Sequence, residues 1–122
     1  MINLDFKDNK SLHEQIEDGF KNLIINKILA ENEQLPSVRE LSLTLTVNPN
    51  TVQKAYKELE NSGFIYSIKG KGNFVAPVSF AKDDKKINEL YENLKSSIKA
   101  LIYLGEDIET IDDFIKKVKE DM

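Results

Sequence analysis

A chain of 122 residues, 40% hydrophobic and 31% charged with no cysteine, has the make-up of one small folded domain with room for an appendage. Disulfides and thiolate metal sites are excluded, and no apolar run approaches the ~18 residues that a membrane span needs. The formal net charge of -4 would argue against a nucleic-acid partner if it were evenly spread, but residues 34–76 hold five Lys/Arg against three Asp/Glu. The flanking thirds are acidic, with four Lys/Arg against seven Asp/Glu over 1–33 and eight against eleven over 77–122.

The start, Met1-Ile2-Asn3-Leu4-Asp5, carries neither a basic n-region nor an apolar h-region, so a cytoplasmic location is expected. Ile2, Leu4 and Phe6 alternate with polar residues, which suits a short extended arm. Ser11-x-x-Glu14 has the form of a capping box, in which each residue satisfies a backbone N–H near the helix start. Behind it Leu12, Ile16, Phe20, Leu23 and Ile24 keep helical spacing, so a first helix is expected over roughly residues 11–27. In the link that follows, Asn32 suits a left-handed position.

Pro36 precedes a second capping box, Ser37-x-x-Glu40, which opens a short helix with Val38, Leu41 and Leu45 inward. Thr46-Val47-Asn48 signals a turn. Asn48 is a good N-cap and Pro49 a good first helical residue, since its missing N–H would go unpaired anyway. The third helix is therefore expected from Pro49 to about Asn61, ended by Ser62 and a left-handed Gly63. Two strands, Phe64–Ile68 and Asn73–Ala76, flank Lys69-Gly70-Lys71-Gly72 as a hairpin, and Pro77 closes the unit. The fold class is mainly α with a small β-hairpin: a winged helix-turn-helix domain over residues 1–77.

A polar junction, Ala81-Lys82-Asp83-Asp84-Lys85-Lys86, marks a change of composition. Beyond it Ile87, Tyr91, Leu94, Ile98 and Leu101 step by 4, 3, 4 and 3, a narrow stripe of the kind that presses along a partner helix. Gly105 stops that helix. Asp107 can cap a last one, in which Ile108, Ile111, Ile115, Val118 and Met122 step by 3, 4, 3 and 4. Residues 78–122 thus form a two-helix tail with the look of a helical hairpin. Its stripes could pack back on the first helix or on a second chain. The second is expected, because the first helix already has its own face to bury and two-fold dimers suit palindromic DNA.

The third helix shows how the middle segment could hold DNA. Val52, Ala55, Tyr56 and Leu59 share its core side, whereas Asn50, Gln53, Lys54 and Lys57 share another face with no apolar member. Amides at the first turns can pair with adenine edges, and the lysines behind them suit phosphates or guanine. The Thr51 hydroxyl, alongside free backbone N–H groups at the helix start, can add a phosphate contact. Arg39, the single arginine of the chain, sits beside the Ser37 cap and offers the one bidentate fork. At the hairpin tip, Gly70 and Gly72 let the backbone approach a sugar-phosphate strand, and Lys69 and Lys71 supply charge.

LPSVREL, NPNTVQKAYKELE, SGFI and KGKGNFV resemble, in order and spacing, the DNA-binding domain of GntR-family transcription regulators, over about residues 10–77. The short helical tail is similar to the YtrA subfamily. That resemblance implies a homodimeric repressor, often of an ABC-transporter operon, with DNA contacts at Arg39, Asn48, Asn50, Thr51, Gln53 and Gly70 to Gly72. Ser37 at the second helix start belongs with these candidates. Some positions depart from the family pattern: Asn32 and Thr46 stand where glycines are usual, and Pro49 where many relatives carry arginine, so readout leans on the amides.

Other readings are weaker. His13 is alone, with no second histidine or cysteine, so no metal site is expected. Asp83-Asp84 and Asp112-Asp113 read as solvated helix-start charges, and no hydroxyl has a base partner. No enzyme activity and no cofactor are expected. An unknown small-molecule effector would fit the family, but no residue cluster marks its site. A winged helix can also serve as a protein-interaction adaptor, yet the exposed face here is Asn, Gln and Lys instead of an apolar patch.

Overall fold

The computed structural model describes residues 2–77 and 84–122. The chain divides into two compact units, 1–82 and 83–122. The first holds α1 (Leu12–Ile25), α2 (Val38–Leu45), α3 (Pro49–Asn61), β1 (Ile65–Ile68) and β2 (Gly72–Val75); the second holds α4 (Asp84–Tyr103) and α5 (Ile108–Glu120). Part of the polar junction, Ala81 to Asp83, lies outside the described residues, while Asp84 to Lys86 belong to the first turn of α4.

In the first unit the core is built where helical spacing places apolar residues on one side of α1 and α3. Ile16, Phe20 and Ile24 meet Val52, Ala55, Tyr56 and Leu59, and Leu35, Leu41, Phe64, Ile65 and Val75 close the cluster. Phe20 and Tyr56 pack edge to face with ring centroids 5.6 Å apart, an arrangement that adds to their area burial. Ile2 and Leu4 of the N-terminal arm lie against this core, and a Cβ on Gly19 would come within 3.0 Å of the Ile2 side chain. The arm therefore seats on α1 where no side chain intervenes. Phe6 does not share that face: the chain turns at residues 6 and 7, and its ring is 67% exposed.

The caps follow the sequence with one difference. Ser37 and Glu40 form a complete capping box. At α1, Ser11 Oγ accepts the Glu14 N–H, but Glu14 takes the Ser11 hydroxyl instead of its backbone N–H. Asn32 has a φ of 65° and Gly63 a φ of 80°, so the link and the end of α3 are left-handed as expected. Thr46 ends α2 with φ 57° and ψ 50°, a left-handed conformation uncommon for a β-branched residue.

β1 and β2 pair antiparallel from Ile65↔Val75 to Ile68↔Gly72. The link before α2 adds a third, irregular edge. Asn32 and Leu35 N–H groups donate to Val75 and Asn73 carbonyls, both at 2.8 Å, and Val75 N–H donates to Glu33 O at 2.9 Å. The hairpin is thus tied along β2 to the chain that leads into α2.

The second unit has a different character. Gly105, at φ 100°, separates α4 from α5, and Asp107 caps α5 by accepting the Thr110 N–H at 2.8 Å. Neither helix contains a buried residue. The two make at most marginal contact with each other, so their apolar faces are not closed against one another as a hairpin would close them.

Candidate nucleic-acid interface

One largely buried side chain ties the entry of α2 to α3. Tyr56 of α3 donates its hydroxyl to the Pro36 carbonyl at 2.7 Å, which fixes the start of α2 against α3. Burial, and then the nearby Glu40 carboxylate, pushes the phenol well above its ordinary pKa, so it remains a donor.

On α3 the two faces separate as the spacing requires. Val52, Ala55, Tyr56 and Leu59 are buried, whereas Asn50, Gln53, Lys54 and Lys57 are exposed and Thr51 is half-buried. Ser37, Arg39 and Asn48 are exposed, as is every residue from Lys69 to Gly72. Among the described residues, Arg39, Lys54, Lys57, Lys69 and Lys71 make no ion pair. Arg39 thus forms no surface pair with a carboxylate among the described residues. Among the described residues, five cations of the basic middle segment have no intramolecular carboxylate partner. By contrast, Lys10 pairs with Asp18, and half-buried His13 sets Nδ1 2.8 Å from a Glu17 carboxylate oxygen.

The helix starts differ from expectation in what their backbone offers. At α3 no free N–H group remains for phosphate: Pro49 has none, Asn50 N–H donates to Asn48 Oδ1 at 2.8 Å, and Thr51 N–H donates to Asn48 O at 2.9 Å. Asn48 thereby spends its side-chain carbonyl on the cap and keeps its NH2 as a donor. At α2 the cap serves Glu40, and the Val38 and Arg39 N–H groups have no partner among the described residues. The free backbone N–H groups among the described residues thus lie beside Arg39, not beside Thr51.

At the hairpin tip, Lys71 N–H closes a turn on Ile68 O at 2.9 Å, with Gly70 at its third position and φ 78°. A positive φ there is the type II signature and favours glycine. Gln34, a residue that the sequence did not single out, donates its side-chain N–H to Lys71 O at 2.8 Å. No spacing signal marks it, because the contact spans 37 positions between two irregular segments.

In the tail, the nine stripe residues lie on α4 and α5. Ile98 and Ile111 are half-buried, and Ile87, Tyr91, Leu94, Leu101, Ile108, Ile115 and Val118 are exposed. The apolar face is broader than a narrow stripe, however, since Leu90, Ile102 and Phe114 are exposed beside it. A helical wheel drawn for every apolar residue, instead of the 3–4 steps alone, would have included them.

Comparison with known proteins agrees with this geometry. Residues 12–75 match the family model described as bacterial regulatory proteins, gntR family. The HTH-type transcriptional repressor YtrA of Bacillus subtilis is 35% identical over 123 aligned residues, covering 100% of this chain and 95% of that protein. A crystal structure described as a transcriptional antiterminator from Listeria monocytogenes EGD-e is 37% identical, with a TM-score of 0.67 over 99% of this chain and 91% of that one. The DNA-binding domain of AraR in complex with operator ORE1 is 25% identical, with a TM-score of 0.54 over 62% of this chain and 93% of that one. The chain belongs to the gntR family of bacterial regulatory proteins, DNA-binding transcription regulators with a winged helix-turn-helix, and it is similar to YtrA over its whole length.

Proposed function

We propose that this chain is a homodimeric repressor that reads an inverted-repeat operator and acts in the cytoplasm. In this reading α3 enters the major groove of each half-site, with Asn50 and Gln53 toward base edges and Lys54 and Lys57 toward the backbone. Ser37, Arg39, Asn48 and Thr51 grip the flanking strand, and Lys69 to Gly72 follow the sugar-phosphate chain beside the groove. The observation that carries the proposal is the set of five cations that make no ion pair among the described residues, together with the exposed Asn50 and Gln53 amides. The uncovered apolar faces of α4 and α5 support the second half of it: a second copy offers the same faces, and self-complementary association is what a two-fold dimer requires.

A repressor role, and an operon for a transporter as its target, rest on the likeness to YtrA-type regulators. The protein-adaptor alternative would need an apolar patch on the exposed face of α3, which carries Asn, Gln and Lys instead. The test is a mobility shift on the DNA upstream of the chain's own coding sequence, with random duplex as competitor. Retention of the complex under excess random DNA is expected; equal competition would remove the sequence-specific reading. Sedimentation of the protein alone should give twice the chain mass.

A further inference from the structure

We infer that Gln34 is a positioning residue for DNA binding, which holds the wing tip so that Lys71 meets the phosphate backbone in a fixed orientation. This rests on the reading of Lys69 to Gly72 as a DNA-contacting wing.

Lys71 lies between Gly70 and Gly72, whose φ values of 78° and 122° belong to backbone that ordinary residues rarely adopt. A lysine between two glycines would swing freely, because neither neighbour restricts the flanking peptide planes. Here both of its backbone groups are held. Its N–H donates to Ile68 O at 2.9 Å, and its carbonyl accepts from Gln34 Nε2 at 2.8 Å. With both planes fixed, the direction of the Cα–Cβ bond is set, and so is the origin of the ammonium arm.

The base from which Gln34 reaches is itself fixed. Leu35 N–H donates to Asn73 O at 2.8 Å, Val75 N–H donates to Glu33 O at 2.9 Å, and Gln34 bridges Phe74. Tyr66 also donates its hydroxyl to Asn32 Oδ1 at 2.7 Å. The reach of the amide depends on Gly72, for a Cβ at that position would lie 2.9 Å from Gln34 Nε2. Glycine at 72 therefore does more than permit a positive φ: it leaves open the space through which Gln34 grips the tip. Two residues further along the same link, Pro36 accepts the Tyr56 hydroxyl. One short link thus fixes the wing at one end and the start of α2, with Arg39, at the other.

The gain is pre-organisation. A tip already in its bound orientation loses less freedom when DNA arrives, and ordering one flexible side chain and its loop is worth roughly three- to tenfold in affinity. The probe is a duplex selected by the wild-type protein from a random-sequence pool. Gln34→Ala, and Gln34→Glu, which keeps the shape but loses the N–H donor, should each weaken binding by about three- to tenfold. Each should also flatten the slope of log K against log salt by up to about one phosphate contact. Neither should change the melting temperature appreciably.

In a Lys69→Ala/Lys71→Ala background, Gln34→Ala should cost nothing further, because the groups it positions are gone. An undiminished loss in that background would mean that Gln34 touches DNA itself and would overturn the positioning role. Unchanged affinity and salt slope in the single variants would overturn it too. Failure of the wild type to select any duplex would remove the DNA reading first, and this inference with it.

Discussion

The two units contrast in how they use apolar residues. In the first, Ile16, Val52, Ala55 and Leu59 are 0% exposed, and the helices and hairpin close on one cluster. In the second, helices of 20 and 13 residues contain no buried residue, although each carries an apolar face. A 13-residue helix is marginal in water without tertiary contacts, since isolated helices below ~12–15 residues gain too little to offset nucleation. The first unit therefore closes its core within one chain, whereas the second leaves its apolar side chains without a buried core. The proposed dimer would divide the labour: one part recognises DNA as a finished domain, and the other sets how many such domains act together.

The sharpest way to break this contrast is to charge the tail. Leu94→Asp with Ile98→Asp should yield a monomer by sedimentation, with the melting transition of the first unit intact. Affinity for an inverted repeat should fall about 10²–10⁴-fold, because the second domain no longer binds at high effective concentration. A charged variant that stays dimeric would place the association surface elsewhere.

Phe20→Ala tests the opposite side of the comparison. It empties a fully buried site against Tyr56 and should cost about 3–5 kcal/mol in chemical denaturation. Loss below about 1 kcal/mol would mean that the α1–α3 core is not what holds the first unit together. Next come the DNA-facing cations. Arg39→Ala should cost about 1–3 kcal/mol of specific binding, and Lys54→Ala with Lys71→Ala should weaken all sequences and reduce the salt slope by about two. If all three leave binding unchanged, the assigned DNA face is wrong.

Legibility in the sequence followed the range of the interactions. Both capping motifs, Asn48-Pro49 at the head of α3 and the Gly63 stop are local codes, and the elements begin and end within a few residues of where these place them. The face of α3 was readable for the same reason, since burial of Val52, Ala55, Tyr56 and Leu59 leaves the amides and lysines outside. What stayed hidden depends on contacts far apart in the chain or on atoms already in use. Gln34 meets Lys71 across two irregular segments, and Tyr56 reads as core although its hydroxyl also fixes Pro36. The N–H groups at the start of α3 are used within the chain, because the Asn48 side chain accepts from Asn50 and its carbonyl from Thr51.

Thr46 offers a smaller effect, confined to the first unit. Its φ of 57° places a β-branched side chain in left-handed backbone, at the turn that joins α2 to α3. Such strain costs on the order of 1–2 kcal/mol, of which glycine's greater freedom in the unfolded chain returns part. Thr46→Gly should therefore raise stability by up to about 1 kcal/mol, read as a higher denaturation midpoint with unchanged slope. A lower midpoint would show that the threonine side chain makes a compensating contact.

The smallest effect belongs to the tail and separates helix formation from association. Asp107 caps α5, and its carboxyl is held below the usual range by the Thr110 backbone N–H and then by the Thr110 hydroxyl. A lowered folded-state pKa means that the unfolded chain takes up the proton first. The cap contributes fully above the ordinary Asp value and is lost as pH falls through the lowered one. Asp107→Asn keeps a capping oxygen but no charge. It should remove this acid-dependent loss of helicity in circular dichroism, while leaving the first unit's transition in place. Because α5 exposes its apolar face in the single chain, a dimer should protect it: at high protein concentration the acid-induced loss should shrink. If helicity at low pH proves independent of concentration, α5 owes its stability to its own chain and not to a second copy.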